Sequence, residues 1–204
     1  FEAQTKNAQL RADYAITDGW ALTVEAGHSE TARDRRLAIF RLNNAAALTT
    51  GAGRITGNIQ HSVMASDLLR AELAGNFHTG YIAHELTLGA SRTDKSQDPI
   101  YQSNYTIASQ NLYNPVPVTN VVFGPKPASP TTAALDTRDT GLYALDRMVF
   151  SPQWQSVIGV RRSSYQSDQG ASHYDVSKTT PMASLIYKAT PELSFYASTA
   201  RGLE

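Results

Sequence analysis

The stretch Gln9-Leu10-Arg11-Ala12-Asp13-Tyr14-Ala15-Ile16-Thr17-Asp18-Gly19-Trp20-Ala21-Leu22-Thr23-Val24-Glu25-Ala26 contains a whole hairpin in its letters. Leu10, Ala12, Tyr14 and Ile16 fall on one parity, with Gln9, Arg11 and Asp13 on the other. Asp18-Gly19 supplies the two residues of a type I′ turn, after which Trp20, Leu22, Val24 and Ala26 resume the apolar face against Thr23 and Glu25. The period is two, so these are strands, each with one face fit for an apolar medium.

The same device recurs. Thr79-Gly80, Ser151-Pro152-Gln153 and Thr190-Pro191-Glu192 are further short turns, and every one is bracketed by rings. Phe77 and Tyr81 flank the second, Phe150 and Trp154 the third, Tyr187 and Phe195 the fourth. Between the turns, alternation predicts strands over residues 8–17, 20–40, 54–78, 82–92, 139–150, 154–166, 179–189 and 193–202. That makes an all-β chain, an antiparallel up-and-down meander of about eight strands. The connections at the other level are long: a small-residue loop near 42–53, a Pro-, Asn- and Tyr-rich segment over 93–138, and a polar loop over 167–178. Short ring-bracketed turns at one level and long loops at the other predict part of a transmembrane β-barrel, with Trp20, Phe77, Tyr81, Phe150, Trp154 and Phe195 as its periplasmic aromatic girdle.

Composition narrows the alternatives. Eighteen Lys and Arg balance eighteen Asp and Glu over 204 residues, so no basic excess points to nucleic acid. There is no Cys, hence no disulfide frame and no thiolate site. No apolar run reaches the ~18 residues of a membrane helix, a limit that does not apply to barrels. Gly51-Ala52-Gly53 with Gly57 misses a dinucleotide fingerprint, Gly27-His28-Ser29 lacks the rest of a nucleophile elbow, and the five His residues are dispersed. No catalytic residues, metal ligands or cofactor are expected, and the chain is not read as an enzyme.

Three stretches resemble the barrel of TonB-dependent siderophore receptors, the ferrichrome-receptor-like branch. Leu73-Ala74-Gly75-Asn76-Phe77-His78-Thr79-Gly80, followed by His84 and Gly89, is similar to that family's strand–turn–strand pattern. Tyr143-Ala144-Leu145-Asp146 through Trp154 to Gly159-Val160-Arg161 resembles a second hairpin of the family. Thr180-Pro181 to Tyr187-Lys188, then Leu193-Ser194-Phe195-Tyr196-Ala197-Ser198 and Gly202-Leu203-Glu204, resembles a third. Met182 and Ala189 depart from it, standing where the family often has Arg and Pro.

The resemblance implies a 22-stranded plugged barrel, of which residues 1–204 supply a partial β-barrel domain without plug or TonB box. It implies the outer membrane of a Gram-negative bacterium, a ferric siderophore as cargo carrying its own iron, and coupling to the TonB complex through an N-terminal region. Arg11, Asp13, Glu25, Arg70, Glu72, Asp146 and Arg161 are then lumen-facing and directed at the plug, with Asp146 and Arg161 as a cross-strand pair. Arg147 and Arg162 fall on the outer parity: Arg147, close to its short turn, can snorkel to the interface, and Arg162 lies toward the outer leaflet, where anionic lipid headgroups can pair with it. Tyr101, Tyr105, Tyr113 and Phe123, in the 93–138 loop, are the candidate ligand contacts. Unpaired edge strands predict self-association of the chain. A small self-contained barrel with a structural or adhesive role, and a soluble β-sandwich ligand-binding module, are the competing readings.

Overall fold

A computed structural model of the chain describes residues 2–118, 121–125 and 127–202; Leu203 and Glu204 of the third motif lie outside the described residues. Nine strands are present among them: β1 Glu2–Thr17, β2 Trp20–Leu42, β3 Ala52–Thr79, β4 Ile82–Gln97, β5 Tyr101–Asn111, β6 Leu135–Val149, β7 Trp154–Gln169, β8 Ser172–Lys188 and β9 Ser194–Ala200. A single helical turn, α1 Ala47–Thr50, stands between β2 and β3. The sheet runs β1-β2-β3-β4-β6-β7-β8-β9, with β5 paired to β3 off this path.

Two compact units divide these residues. One comprises 7–29, 66–95 and 136–204; the other comprises 1–6, 30–65 and 96–135. The first, here the hairpin unit, holds the ring-bracketed turns. Asn76 N–H donates to Gly19 O at 2.9 Å and Lys188 N–H to Gln153 O at 2.8 Å, so neighbouring turns are stitched at one end of the strands.

Among its described residues the hairpin unit has no apolar interior. Leu10 is 72 % exposed, Tyr14 67 % and Leu142 65 %, whereas Glu25 is 9 % and Gln155 6 %. Across the whole set of described residues the buried apolar side chain is Ala47, in the other unit. A β-sandwich would bury the parity that carries Leu10, Tyr14, Leu69, Leu142, Ile158 and Leu185. Here that parity is outside. The inversion, polar side chains covered and apolar ones bare, is the arrangement of a lipid-facing sheet.

Three expectations are corrected. The second turn is Gly80-Tyr81, one residue later than expected, with Gly80 at φ 63°. The polar loop over 167–178 is no loop: β7 and β8 pair in register from Trp154↔Tyr187 to Gln169↔Ser172, leaving only Gly170 and Ala171 as the turn. Both faces of that hairpin tip are polar, so alternation gives no signal there although the backbone ladder continues. The third correction is β5, inside the segment read as loop. β3 is 28 residues long, and β4 already ends where Asp98 N–H meets Val63 O. The remaining edge of β3 is taken by β5, from Ala52↔Asn111 to His61↔Tyr101. One residue of β3, Arg54, faces two of β5 at a bulge, where Ser109 adopts φ 57°.

Candidate functional site

The polar face of the hairpin unit is a connected network. Arg70 Nη2 lies 2.7 Å from Glu25 Oε2, and Gln9 Nε2 donates to the other oxygen, Oε1, at 2.5 Å. Arg11 Nε donates to Asp13 Oδ2 at 2.9 Å, and Thr23 Oγ1 donates to Asp13 Oδ1 at 2.6 Å. Tyr143 OH donates to Glu72 Oε2 at 2.7 Å, while the Arg161 guanidinium stands 5.6 Å from the Tyr143 ring centroid. Arg161 also reaches Ser163 Oγ at 2.9 Å and Ser91 Oγ at 3.2 Å. Arg147 bridges Glu85 at 2.6 Å and Gln155 at 2.8 Å. Arg70 Nε is buried with no partner among the described residues, so this surface retains a donor it does not use.

Six of the seven residues expected on this face are there. Asp146 is not. Strand alternation puts it opposite Tyr143 and Arg147, which contact the polar-face groups, and its Oδ2 lies 2.7 Å from His84 Nδ1. The expected Asp146–Arg161 pair is replaced by His84–Asp146 on one face and Arg161–Tyr143 on the other. Arg147 is corrected the opposite way, from the apolar to the polar parity. The cause is a β6 whose apolar letters, Tyr143 and Leu145, sit on the polar face: Tyr143 spends its hydroxyl on Glu72, and Leu145 packs where Gly159 leaves room.

On the apolar face the rings gather beside the short turns. Trp20 and Phe77 stack at 6.3 Å, Phe77 and His84 at 4.5 Å, and Trp154 and Tyr187 at 4.6 Å. A Cβ at Gly75 would lie 2.2 Å from the Trp20 ring, so only glycine admits the indole there. Phe195 pairs with Tyr187, Phe150 N–H donates to Trp154 O at 3.0 Å, and Tyr81 projects from its turn. The ring stack includes His84, which composition alone gives no reason to place among aromatics. His78 occupies the other parity, so the two do not converge; among the described residues no group of three metal-binding side chains forms.

The unit containing β5 treats the loop rings differently. Tyr105 packs edge-on against Phe123 at 5.3 Å, and its hydroxyl crosses Gly57 to donate to Leu37 O at 2.9 Å. A Cβ at Gly57 would sit 2.4 Å from the Tyr105 ring and 2.0 Å from Leu37 O, so the crossing requires glycine. Tyr113 OH donates to Leu48 O at 2.5 Å. Tyr101 opens β5 opposite His61. Of the four candidates, Tyr105 and Phe123 are brought into ring contact with each other. The hydroxyls of Tyr105 and Tyr113 are spent on backbone carbonyls, while the rings of Tyr113 and Phe123 stay exposed.

Four of the five His residues pair through Nδ1 with an Asp, three of them on a neighbouring strand: His28–Asp67, His61–Asp34 and His84–Asp146, with His173–Asp168 across a turn. Such partners lie up to 62 residues apart, and only strand register reveals them.

The profile of the family described as "TonB dependent receptor-like, beta-barrel" matches residues 1–204. The chain belongs to this family of TonB-dependent receptor barrels. Among the curated relatives of this TonB-dependent receptor segment, the metal-pseudopaline receptor CntO of Pseudomonas aeruginosa is 26% identical over 156 residues, covering 67% of this chain and 21% of that protein. The probable TonB-dependent receptor BfrD of Bordetella pertussis is 26% identical over 223 residues, covering 91% and 30%. The chain thus spans between a fifth and a third of the relatives it matches. Among solved structures, the pyoverdine receptor FpvA of Pseudomonas aeruginosa PAO1 bound to pyoverdine superimposes with TM-score 0.80 at 17% identity, covering 96% of this chain and 28% of that one. The open form of the ferric-catecholate import receptor Fiu of E. coli gives TM-score 0.75 at 17% identity, covering 97% and 35%.

Membership assigns the faces. The apolar parity of the TonB-dependent receptor segment is the one suited to the lipid of a Gram-negative outer membrane. Receptors of this family transport; they are not enzymes.

Proposed function

We propose that the protein carrying this chain imports a ferric siderophore across the outer membrane, with the TonB complex supplying the energy. One observation carries the reading most directly: a single-layer sheet in a TonB-dependent receptor family keeps ion pairs on its lumen face and bare apolar side chains outside. The iron is cargo, held by its chelator, so the protein needs surface rather than metal ligands. The ring faces of Tyr101, Tyr105, Tyr113 and Phe123 offer that surface to a bulky, partly apolar chelate. Arg11, Asp13, Glu25, Arg70, Glu72 and Arg161 present charged groups to a plug, and Arg70 Nε is a donor ready for it. The strand edges of β1 and β9, which end the sheet, are where further barrel strands pair, or other copies if the chain is isolated.

The test is uptake of radiolabelled iron by the native host, offered as catecholate, hydroxamate and citrate chelates in turn. Deleting the gene abolishes uptake of one class, a plasmid copy restores it, and loss of TonB mimics the deletion. Unchanged uptake of every class sinks the proposal. A second reading has its own support: the relative named as a metal-pseudopaline receptor suggests a chelate of another transition metal. Nickel, zinc and cobalt accumulation in the same deletion strain separates the two.

A further inference from the structure

The β7–β8 ladder runs without a bulge from Trp154↔Tyr187 to Gln169↔Ser172, so its faces alternate all the way to the tip. Arg161 fixes the parity: its guanidinium stands over the Tyr143 ring, and the Tyr143 hydroxyl meets Glu72 on the polar face. Ser163, Tyr165 and Ser167 of β7 share that parity, as do their register partners Lys178, Val176 and Tyr174 of β8. The Tyr165 and Tyr174 rings approach to 6.3 Å between centroids with planes at 57°, a tilted pair that leaves ring surface open. Tyr174 is 53% exposed, and Lys178 is exposed without a hydrogen bond or ion pair among the described residues. The reverse side of the tip is spent on itself. There Gln166 Nε2 donates to Asp175 at 2.9 Å, and His173 Nδ1 lies 2.6 Å from Asp168. Both carboxylates of the tip are therefore on the reverse side. The adjoining strands add Lys95, on the parity of Ser91, and Asp139, on the parity of Tyr143. Arg161, Lys178 and Lys95 thus stand against one carboxylate on a face that also carries two tyrosine rings.

We propose that this face is a contact site for the imported iron chelate, and that the chelate is of the catecholate class. The inference rests on the import reading above and names its cargo more narrowly. A ferric tris-catecholate is a trianion with flat rings on its outside, so it answers both features of the face. A ferric trihydroxamate is neutral, and ferric citrate has no rings. Tyr165 and Tyr174 offer offset or edge contact to a catechol ring, while the Lys178 ammonium and the Arg161 guanidinium meet its charge. The rings stand on a continuous two-strand ladder closed by a two-residue turn, so little order is lost on binding.

The intact receptor, purified in detergent, is dialysed to equilibrium against three chelates of radiolabelled iron: a tris-catecholamide, a trihydroxamate and citrate. Wild type holds the catecholate on the order of tenfold more tightly than the other two. Tyr165→Ala with Tyr174→Ala removes about that factor, and Lys178→Gln weakens the catecholate by roughly threefold. Neither change alters the affinity for the trihydroxamate. Gln166→Ala, on the reverse side, leaves all three affinities as they are. If the double tyrosine variant fails to fold, Lys178→Gln decides alone. A receptor that prefers the trihydroxamate or citrate overturns this inference and leaves the import reading standing; one that retains none of the three overturns both. Catecholate affinity unmoved by the tyrosine and lysine variants also overturns it. So does an equal loss in Gln166→Ala, which would report the order of the hairpin instead of a contact.

Discussion

The two units of this chain use the same strand geometry for opposite ends. In the hairpin unit the strands have largely committed faces: charges on one parity pair with one another, and the other parity is mostly apolar and left to lipid, its charged pairs being His84–Asp146, His28–Asp67 and Asp94 with Arg92 and Arg138. In the unit containing β5 neither face is committed. Tyr105 and Tyr113 turn their hydroxyls onto backbone carbonyls of Leu37 and Leu48, and their rings stay partly bare. A membrane imposes face discipline because an unpaired polar group in hydrocarbon is costly. Where that constraint lifts, backbone carbonyls take up the tyrosine hydroxyls instead.

The sharpest way to test this contrast is a matched pair of glycine substitutions. Gly75→Leu forces the Trp20 indole off its seat and costs about 3 kcal/mol by overpacking, enough to lose the heat-modifiable folded band of the refolded protein on gels. Gly57→Leu creates as close a clash with Tyr105, yet it leaves that band intact and lowers chelate binding. Equal loss of folding in both would erase the distinction between the units.

A smaller effect is expected from the polar face. Arg70→Met leaves Glu25, 11% exposed at its side chain, without its cation. The cost is about 2 kcal/mol in urea unfolding, below the full penalty for a buried pair because the Arg70 side chain is 38% exposed. Adding Glu25→Gln recovers most of it; failure to recover means the pair is not the cause.

Tyr105→Phe removes one hydrogen bond, about 1 kcal/mol, and keeps the ring. Uptake survives it and falls with Tyr105→Ala. If Phe is as damaging as Ala, the hydroxyl, not the ring face, is what matters.

The smallest effect is at the β7–β8 tip, well beyond the apolar band. The hydrogen bond that the His173 ring donates to the Asp168 carboxylate, with that carboxylate's charge, raises the His173 pKa above 6.5. Because the folded value is the higher one, the pair's support for the hairpin is fully present below the ordinary His range and fades as pH rises through the raised value. An NMR titration of the His173 ring shows the elevation, and Asp168→Asn returns it to the usual range. A midpoint unchanged by that substitution removes Asp168 as the cause.

Most strands of the hairpin unit were legible because lipid and lumen enforce a period of two in the letters, as from Gln9 to Ala26. β6 misled for the same reason: Tyr143 and Leu145 look apolar, but one spends its hydroxyl on Glu72 and the other fills the space over Gly159. Its faces were therefore assigned backwards, and Asp146 and Arg147 exchanged places. β5 and the tip of β7–β8 were illegible because both sides of those strands are polar, and backbone hydrogen bonds leave no mark on composition.

By itself the sequence determined the strand period, the ring-bracketed turns and the family, since each is a local pattern of neighbouring residues. Tertiary structure alone decided who meets whom: His84 with Asp146 across 62 residues, and Tyr105 over Gly57. Those pairings depend on the register between strands distant in the chain. Register is set by the summed fit of whole ladders, which no single stretch of letters contains.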